Sequence, residues 1–342
     1  MKAVVVETPG GPEVLRLCEW PKPKPEAGWV LVQVKAFGLN RSELFTRQGH
    51  SGDAVIFPRV LGIECVGVVE SAPDSDLQPG TQVAAVMGGL GRDFDGGYAE
   101  YTVAPRTQVM PFESSLPWAT LAAIPETFLT AWGSLHEALE VQGDGVLLVR
   151  GGTSSVGMAA ATIAKDLGLT VIATTRSRQK VERLRANGVD HVLIDDGRIA
   201  SAVRAIAPAG VDYVLELVGT ATLLDSLETA AARGIVCMTG ILGNAWTIDQ
   251  FAPMDAIPSG VKLTTYKSET VTAARASGAL QSVVRSVESG RYHANLDRVF
   301  ALDDIQEAHR YMEGNQATGK LVVALDGSAQ IERAIGESSS GG

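Results

Sequence analysis

From residue 1 to about residue 110 the apolar positions fall in short runs broken by turn residues, which is the pattern of strands. Lys2 to Glu7, Trp29 to Lys35 with its alternating valines, Cys65 to Glu70, Thr81 to Val86 and Tyr98 to Val103 each predict a strand. Gly10-Gly11-Pro12, Pro79-Gly80 and Gly96-Gly97 supply turns between them. From about residue 118 the pattern changes. Apolar runs at Gly145 to Val149, Thr170 to Thr174, His191 to Ile194, Tyr213 to Leu217 and Ile235 to Thr239 predict buried strands. Helical segments lie between several of them, at Met158 to Leu167 and at Arg178 to Asn187, where Gly188 stops the helix. This repeated unit predicts a parallel sheet with both faces covered. After about residue 265 come a helix from Ala273 to Glu288, a strand near Val299, a helix from Asp303 to Met312 and a closing strand from Gly319 to Val323.

The simplest architecture is an α/β chain in which a β-rich domain, residues 1–120 plus 265–330, carries an inserted doubly wound parallel-sheet domain, residues 121–264. Residues 331–342, ending in Ser338-Ser339-Ser340-Gly341-Gly342, read as a linker-like tail. The length of 342 residues fits two domains at about 100 to 200 residues each. A net charge of -10 without a long basic run argues against nucleic acid or an anionic membrane as partner, so any bound anion must meet a local positive spot. No segment reaches the 18 or so apolar residues of a membrane span, and the four-residue apolar run before Glu7 is too short for a secretory signal. Cys18, Cys65 and Cys237 are odd in number and far apart, which encodes neither a disulfide framework nor a zinc motif. The expected setting is the reducing cytoplasm.

The stretch LVRGGTSSVGMAAA, Leu148 to Ala161, reads as a strand that turns sharply into a helix. It fits the G-x-G-x-x-G dinucleotide frame with Gly152, Ser154 and Gly157, so one glycine is replaced. In that frame Gly152 makes the tight turn and Gly157 lets the helix pack closely, while Ser154 stands beside the pyrophosphate. Ser155 and Val156 open the helix, whose free N–H groups favour phosphate. An ordinary strand-to-helix connection with small residues is the alternative. The next strand selects the cofactor, because an NAD site places an acid about 20 residues on and an NADP site a cation. Here Arg176, Arg178 and Lys180 follow the strand and no acid appears before Glu182, which points to NADPH. Arg183 and Arg185 fit a solvated helix face.

Taken together, GGPEVL (Gly10 to Leu15), VLVQVKAFGLNRSE (Val30 to Glu43), GGYAEY (Gly96 to Tyr101), LTAW (Leu129 to Trp132), the glycine turn, ELVG (Glu216 to Gly219) and GKLVV (Gly319 to Val323) resemble the medium-chain dehydrogenase/reductase superfamily. Within it the chain resembles the zinc-independent quinone oxidoreductase-like branch. The resemblance covers nearly the whole chain and implies a GroES-like catalytic domain, an inserted Rossmann domain, a cleft between them and a homodimer. The zinc-ligand slots of the superfamily's alcohol dehydrogenases fall on Asn40, Ile63 and, at or near it, Glu126, and no cysteine lobe stands at Gly91 to Gly97. Isoleucine cannot ligate zinc and one carboxylate does not hold it, so no metal is expected. Without a Lewis acid, alcohol oxidation loses its driving device. The implied activity is hydride transfer from NADPH to a small-molecule quinone or α,β-unsaturated carbonyl, with an enoyl-thioester reductase or a non-catalytic NADPH-binding sensor or structural protein as alternatives.

Several site residues follow from the resemblance. Asn40 either turns its amide to nicotinamide or substrate, or caps the helix in a box with Glu43. Phe45 stands where relatives often carry Tyr, and Ile63 fills the lost ligand slot, both in the implied catalytic cleft. Glu64 reads as the buried partner of an Arg rather than a general acid, and Tyr266 as a substrate-pocket residue or a packing residue. Thr130, Val218, Gly240 and Leu242 complete the implied cofactor set, although Thr130 also fits a helix-face Thr bonded to its own backbone.

Overall fold

The structure is a computed structural model that describes residues 1–325 and 327, and the tail at 331–342 lies outside the described residues. The chain forms two compact units. One holds Met1–Leu129, Glu269–Gly290 and the described residues from Leu296 onward, and the other holds Thr130–Ser268 and Arg291–Asn295. These breaks fall nine and four residues after the 120/121 and 264/265 boundaries read from sequence, and Arg291–Asn295, read as part of the first unit, belongs to the second. The first falls inside the helix Pro125–Gly133, which no turn residue interrupts. The second follows a further strand, Lys262–Thr265, whose sequence KLTT carries no apolar run.

In the first unit the long strand Trp29–Gly38 is central, pairing antiparallel with Lys320–Ala324, Glu64–Ser71 and Tyr101–Pro105. Its inward residues Val32, Val34 and Phe37 join Tyr98, Phe300 and Val323 in one core, where Phe37 stacks on Tyr98 with centroids 4.5 Å apart. The closing strand thus completes a sheet begun near the other end of the chain. Arg47, fully buried, donates from Nε to the Gly10 carbonyl at 3.1 Å and pairs with Glu313 on the helix Ile305–Glu313. A guanidinium therefore ties the first glycine turn to the C-terminal helix.

The second unit holds six parallel strands. Their spatial order is His191–Ile194, Thr170–Thr175, Val146–Arg150, Val211–Glu216, Ala230–Met238 and Lys262–Thr265. Numbered along the chain within this sheet, that is third, second, first, fourth, fifth, sixth. The order reverses between Val146–Arg150 and Val211–Glu216, so a crevice opens at their carboxyl ends, where doubly wound sheets bind ligands. Leu148, Ile172, Val214 and Val236 form its core. The helix Ser155–Asp166 packs on this sheet through buried Met158 to Ala164, a run of mostly small residues. At Gly157 a Cβ would meet the Gly151 carbonyl oxygen at 2.7 Å and the Gly152 Cα at 2.9 Å. Both neighbours are backbone and cannot swing aside. Gly157→Ala is therefore expected to destabilise the protein by about 1–3 kcal/mol through overpacking, read as a lower urea midpoint at unchanged m-value.

Candidate functional site

The glycine turn sits at the mouth of the crevice. Gly151 has φ of 87°, a left-handed conformation that other residues adopt at a cost, so Gly151 makes the tight turn. The sequence frame gave that task to Gly152. Gly152 instead lies flat against the neighbouring strand, where a Cβ would come within 2.8 Å of the Ala173 Cβ. Ser154 caps the helix: its Oγ accepts from Gly157 N–H at 3.1 Å and donates to the Gly151 carbonyl at 2.8 Å. Its hydroxyl is thus spent within the turn rather than held out toward a phosphate.

The remaining backbone donors can be accounted for one by one. Gly151 N–H goes to Thr174 Oγ1, Gly152 N–H to the Thr174 carbonyl, Ser154 N–H to the Gly151 carbonyl and Met158 N–H to the Ser154 carbonyl. The N–H groups of Thr153, Ser155 and Val156 find no acceptor among the described residues. Three partly exposed donors at the start of a 12-residue helix suit an anionic diphosphate.

The other candidates in this unit gather at the same end of the sheet. Arg176 is exposed and directly follows the strand Thr170–Thr175; neither it nor Arg178 forms an ion pair among the described residues. Lys180 closes a short 3-10 turn, Arg178–Lys180, so the helix read from Arg178 to Asn187 is α-helical only over Val181–Ala186. Leu217 and Val218 face the turn, since a Cβ on Gly151 would touch Leu242 at 3.1 Å, Leu217 at 3.2 Å and Val218 at 3.6 Å. Gly240 is forced by the Leu217 carbonyl, 2.4 Å from where a Cβ would stand. Buried Glu216 folds this loop by accepting the N–H groups of Val218 at 2.7 Å and Gly219 at 2.9 Å. Burial pushes its carboxyl above the ordinary value. Thr130 is buried, and its carbonyl accepts the Ser134 hydroxyl at 2.7 Å. Tyr266 is 9% exposed and packs over Gly133, where a Cβ would lie 2.0 Å from its hydroxyl, so its ring is a packing element of this unit.

In the first unit the three lost ligand slots converge on a buried charge network. Lys320 and Glu64, each 1% exposed, form an ion pair of 2.6 Å. Lys320 also donates to Asn40 Oδ1 at 2.6 Å, and Asn40 Nδ2 donates to Glu64 at 3.0 Å and to Glu43 at 3.3 Å. Glu43 accepts Asn40 N–H at 2.8 Å and Ile63 N–H at 3.1 Å, while Glu64 accepts Glu126 N–H at 2.9 Å. Both ends of the Asn40 amide are thus committed to protein partners. Glu64 is buried as read from sequence, but its partner is Lys320 and not an arginine. Gly38 leaves the space for this pair, because a Cβ there would lie 2.3 Å from Lys320 Cε and 2.4 Å from Glu64 Oε1. Phe45, half-buried, sits on the same helix, Arg41–Arg47, with its ring 6.2 Å from that of His50. Burial lifts the Glu43 carboxyl from its ordinary 4.5 to about 7. The set does not fit a catalytic zinc: Ile63 offers no side-chain donor, and the Asn40 amide is occupied.

Two family models match the chain, the alcohol dehydrogenase GroES-like domain over residues 26–114 and the zinc-binding dehydrogenase family over residues 187–323. A human quinone oxidoreductase is 28% identical over 335 residues, covering 95% of this chain and 98% of its own. The chain belongs to the medium-chain dehydrogenase/reductase superfamily, in its zinc-independent quinone oxidoreductase-like branch. Among solved structures, a mycobacterial protein complexed with NADPH is similar at 26% identity and a TM-score of 0.85, covering 95% of this chain and 100% of its own. An NAD-dependent alcohol dehydrogenase is similar at 28% identity and a TM-score of 0.83, over the same shares of both chains. The GroES-like and Rossmann assignments of the two units follow. Among the described residues no helix is long and apolar enough to cross a membrane.

The network makes two testable statements. Lys320→Met leaves the Glu64 carboxylate buried without its cation, which is expected to cost about 3–5 kcal/mol in urea unfolding. Adding Glu64→Gln is expected to recover part of that loss. Native Glu43 keeps its proton up to about pH 7, whereas the unfolded chain releases it near 4.5, so the native state binds more protons in that window. The stability tied to this proton is present below about pH 4.5 and is lost as pH rises through about 7. Between pH 5 and 8 the wild type is expected to lose about 2–3 kcal/mol relative to Glu43→Gln. Parallel pH profiles of the two proteins would refute the assignment.

Proposed function

We propose that this medium-chain oxidoreductase uses NADPH to reduce a conjugated acceptor, a quinone or an α,β-unsaturated carbonyl, without zinc. The observation that carries the cofactor assignment is exposed Arg176 at the end of the second parallel strand, where an NAD site holds an acid. The mycobacterial neighbour solved with NADPH supports the same reading. Ser155 and Val156 N–H receive the pyrophosphate together with Thr153 N–H, and Arg176 pairs with the 2′-phosphate. Arg178 and Lys180 stand at the rim. Val218 and Leu242 stand against Gly151 on the opposite wall of the crevice, and Gly240 lies beside Leu217 on that wall.

NADPH, when bound, supplies a hydride at C4 of its nicotinamide. The chain itself binds, orients and shields; around Asn40 the described residues offer no free cation to make an alcohol acidic, because Lys320 is paired with Glu64 and donates to the Asn40 amide. An acceptor already activated by conjugation needs no such device. The human quinone oxidoreductase relative accords with this acceptor class.

Stopped-flow oxidation of NADPH against quinones, enones and enoyl thioesters is expected to show turnover with the first two, and NADP⁺ reduction by simple alcohols is expected to be slower. Faster alcohol oxidation would contradict the acceptor class, and cofactor binding with no turnover would favour a sensor.

Arg176→Ala removes a charge-assisted hydrogen bond worth about 1.5–3 kcal/mol, so NADPH affinity should fall roughly 10- to 150-fold while NADH affinity stays nearly unchanged. Losses at Arg178 and Lys180 should be smaller and salt-sensitive. Ser154→Gly exchanges one good cap for another and should move both cofactors together by only a few tenths of a kcal/mol. Equal losses of NADPH and NADH in Arg176→Ala would contradict the 2′-phosphate contact.

A further inference from the structure

Two consecutive glycines have the least restrained backbone a chain can offer, yet the N–H groups of Gly151 and Gly152 must point inward if those of Thr153, Ser155 and Val156 are to point outward. Both inward groups end on one residue. Thr174 Oγ1 accepts from Gly151 and the Thr174 carbonyl accepts from Gly152, each at 3.0 Å. The hydroxyl's own proton goes to Asp195 Oδ2 at 3.2 Å, which fixes Oγ1 as an acceptor toward Gly151.

Asp195 is in turn gripped by Arg150, from Nε and from Nη2, both at 3.0 Å. Burial raises the Asp195 carboxyl, and the Arg150 hydrogen bond and charge outweigh it, holding the group ionised below its ordinary 3.8. Arg150 is fully buried and spends Nη1 on Asp225 at 2.7 Å and on the Thr222 carbonyl and Ser226 hydroxyl at 3.1 Å. Arg150 is also the last residue before Gly151 in the chain. The path Arg150, Asp195, Thr174, Gly151 therefore closes on itself across the first three strands of the parallel sheet.

We propose that Thr174, backed by Asp195 and Arg150, is a positioning residue for the dinucleotide. It fixes the peptide planes of Gly151 and Gly152 so that the three donors at the helix start face the pyrophosphate. Thr174 is 1% exposed and acts through the turn, with no contact to the ligand required. The inference rests on the dinucleotide reading given under the proposed function.

Thr174→Val keeps the β-branched shape suited to the strand and removes only the hydroxyl, while Thr174→Ser keeps the hydroxyl. Titration with NADPH and NADH is expected to show Thr174→Val weakened for both cofactors by the same factor, roughly 5- to 30-fold, from the loss of a buried hydrogen bond. Thr174→Ser should bind within about twofold of the wild type, since it restores that bond. In amide spectra the Gly151 N–H resonance should move upfield in Thr174→Val and return in Thr174→Ser, a signature that a general loss of stability would not produce. Wild-type affinity in Thr174→Val overturns the inference, as does a loss confined to NADPH. Wild-type protein that binds neither cofactor overturns the dinucleotide reading, and this inference with it.

Discussion

Backbone comes close against backbone where the helix Ser155–Asp166 starts against the strands Val146–Arg150 and Thr170–Thr175. Gly151, Gly152 and Gly157 meet there with no room for a side chain. Gly152 N–H can reach the Thr174 carbonyl because nothing stands between them, and Ser154 can cap the helix because Gly157 brings its N–H within 3.1 Å. The direction of every donor at the helix start follows from these contacts. The crevice owes its character to an absence of side chains.

The first unit has a different organising feature. One lysine, two glutamates and an asparagine form a buried network around the slots that the sequence resemblance matches to zinc ligands, and they bond to one another. A buried ion pair is weak grounds for stability, since desolvation offsets much of its attraction. Its structural effect is specific nonetheless. Glu64 holds the N–H of Glu126 near the start of the helix Pro125–Gly133, and Glu43 holds the N–H of Ile63, so the network pins two loops and a helix around the Asn40 side chain.

Much of this was legible in the chain. Alternating strands and helices gave the parallel sheet, and the spacing of glycines located the crevice, because both are local patterns set by the periods of secondary structure. The place of Arg176 just after the second strand was readable for the same reason, being fixed by its distance from the turn. What was hidden depends on contacts between distant residues. Lys320 lies 256 residues from Glu64 and carries no pattern that names its partner. Asp195 and Thr174 sit at strand ends, where their side chains read as ordinary polar punctuation. That Gly151 and not Gly152 makes the tight turn was equally invisible, since adjacent glycines look alike until φ distinguishes them. The Lys262–Thr265 strand escaped because it has only one apolar residue.

Under the proposed function the backbone at the start of the helix Ser155–Asp166 receives the diphosphate of NADPH. Amide spectra recorded on ¹⁵N-labelled protein during titration with NADPH test it most directly. The N–H resonances of Thr153, Ser155 and Val156 should move downfield and gain protection from exchange at saturation, while those of Gly151, Gly152 and Gly157, already bonded within the turn, should change little. Saturating NADPH that leaves Thr153, Ser155 and Val156 unmoved would contradict the account.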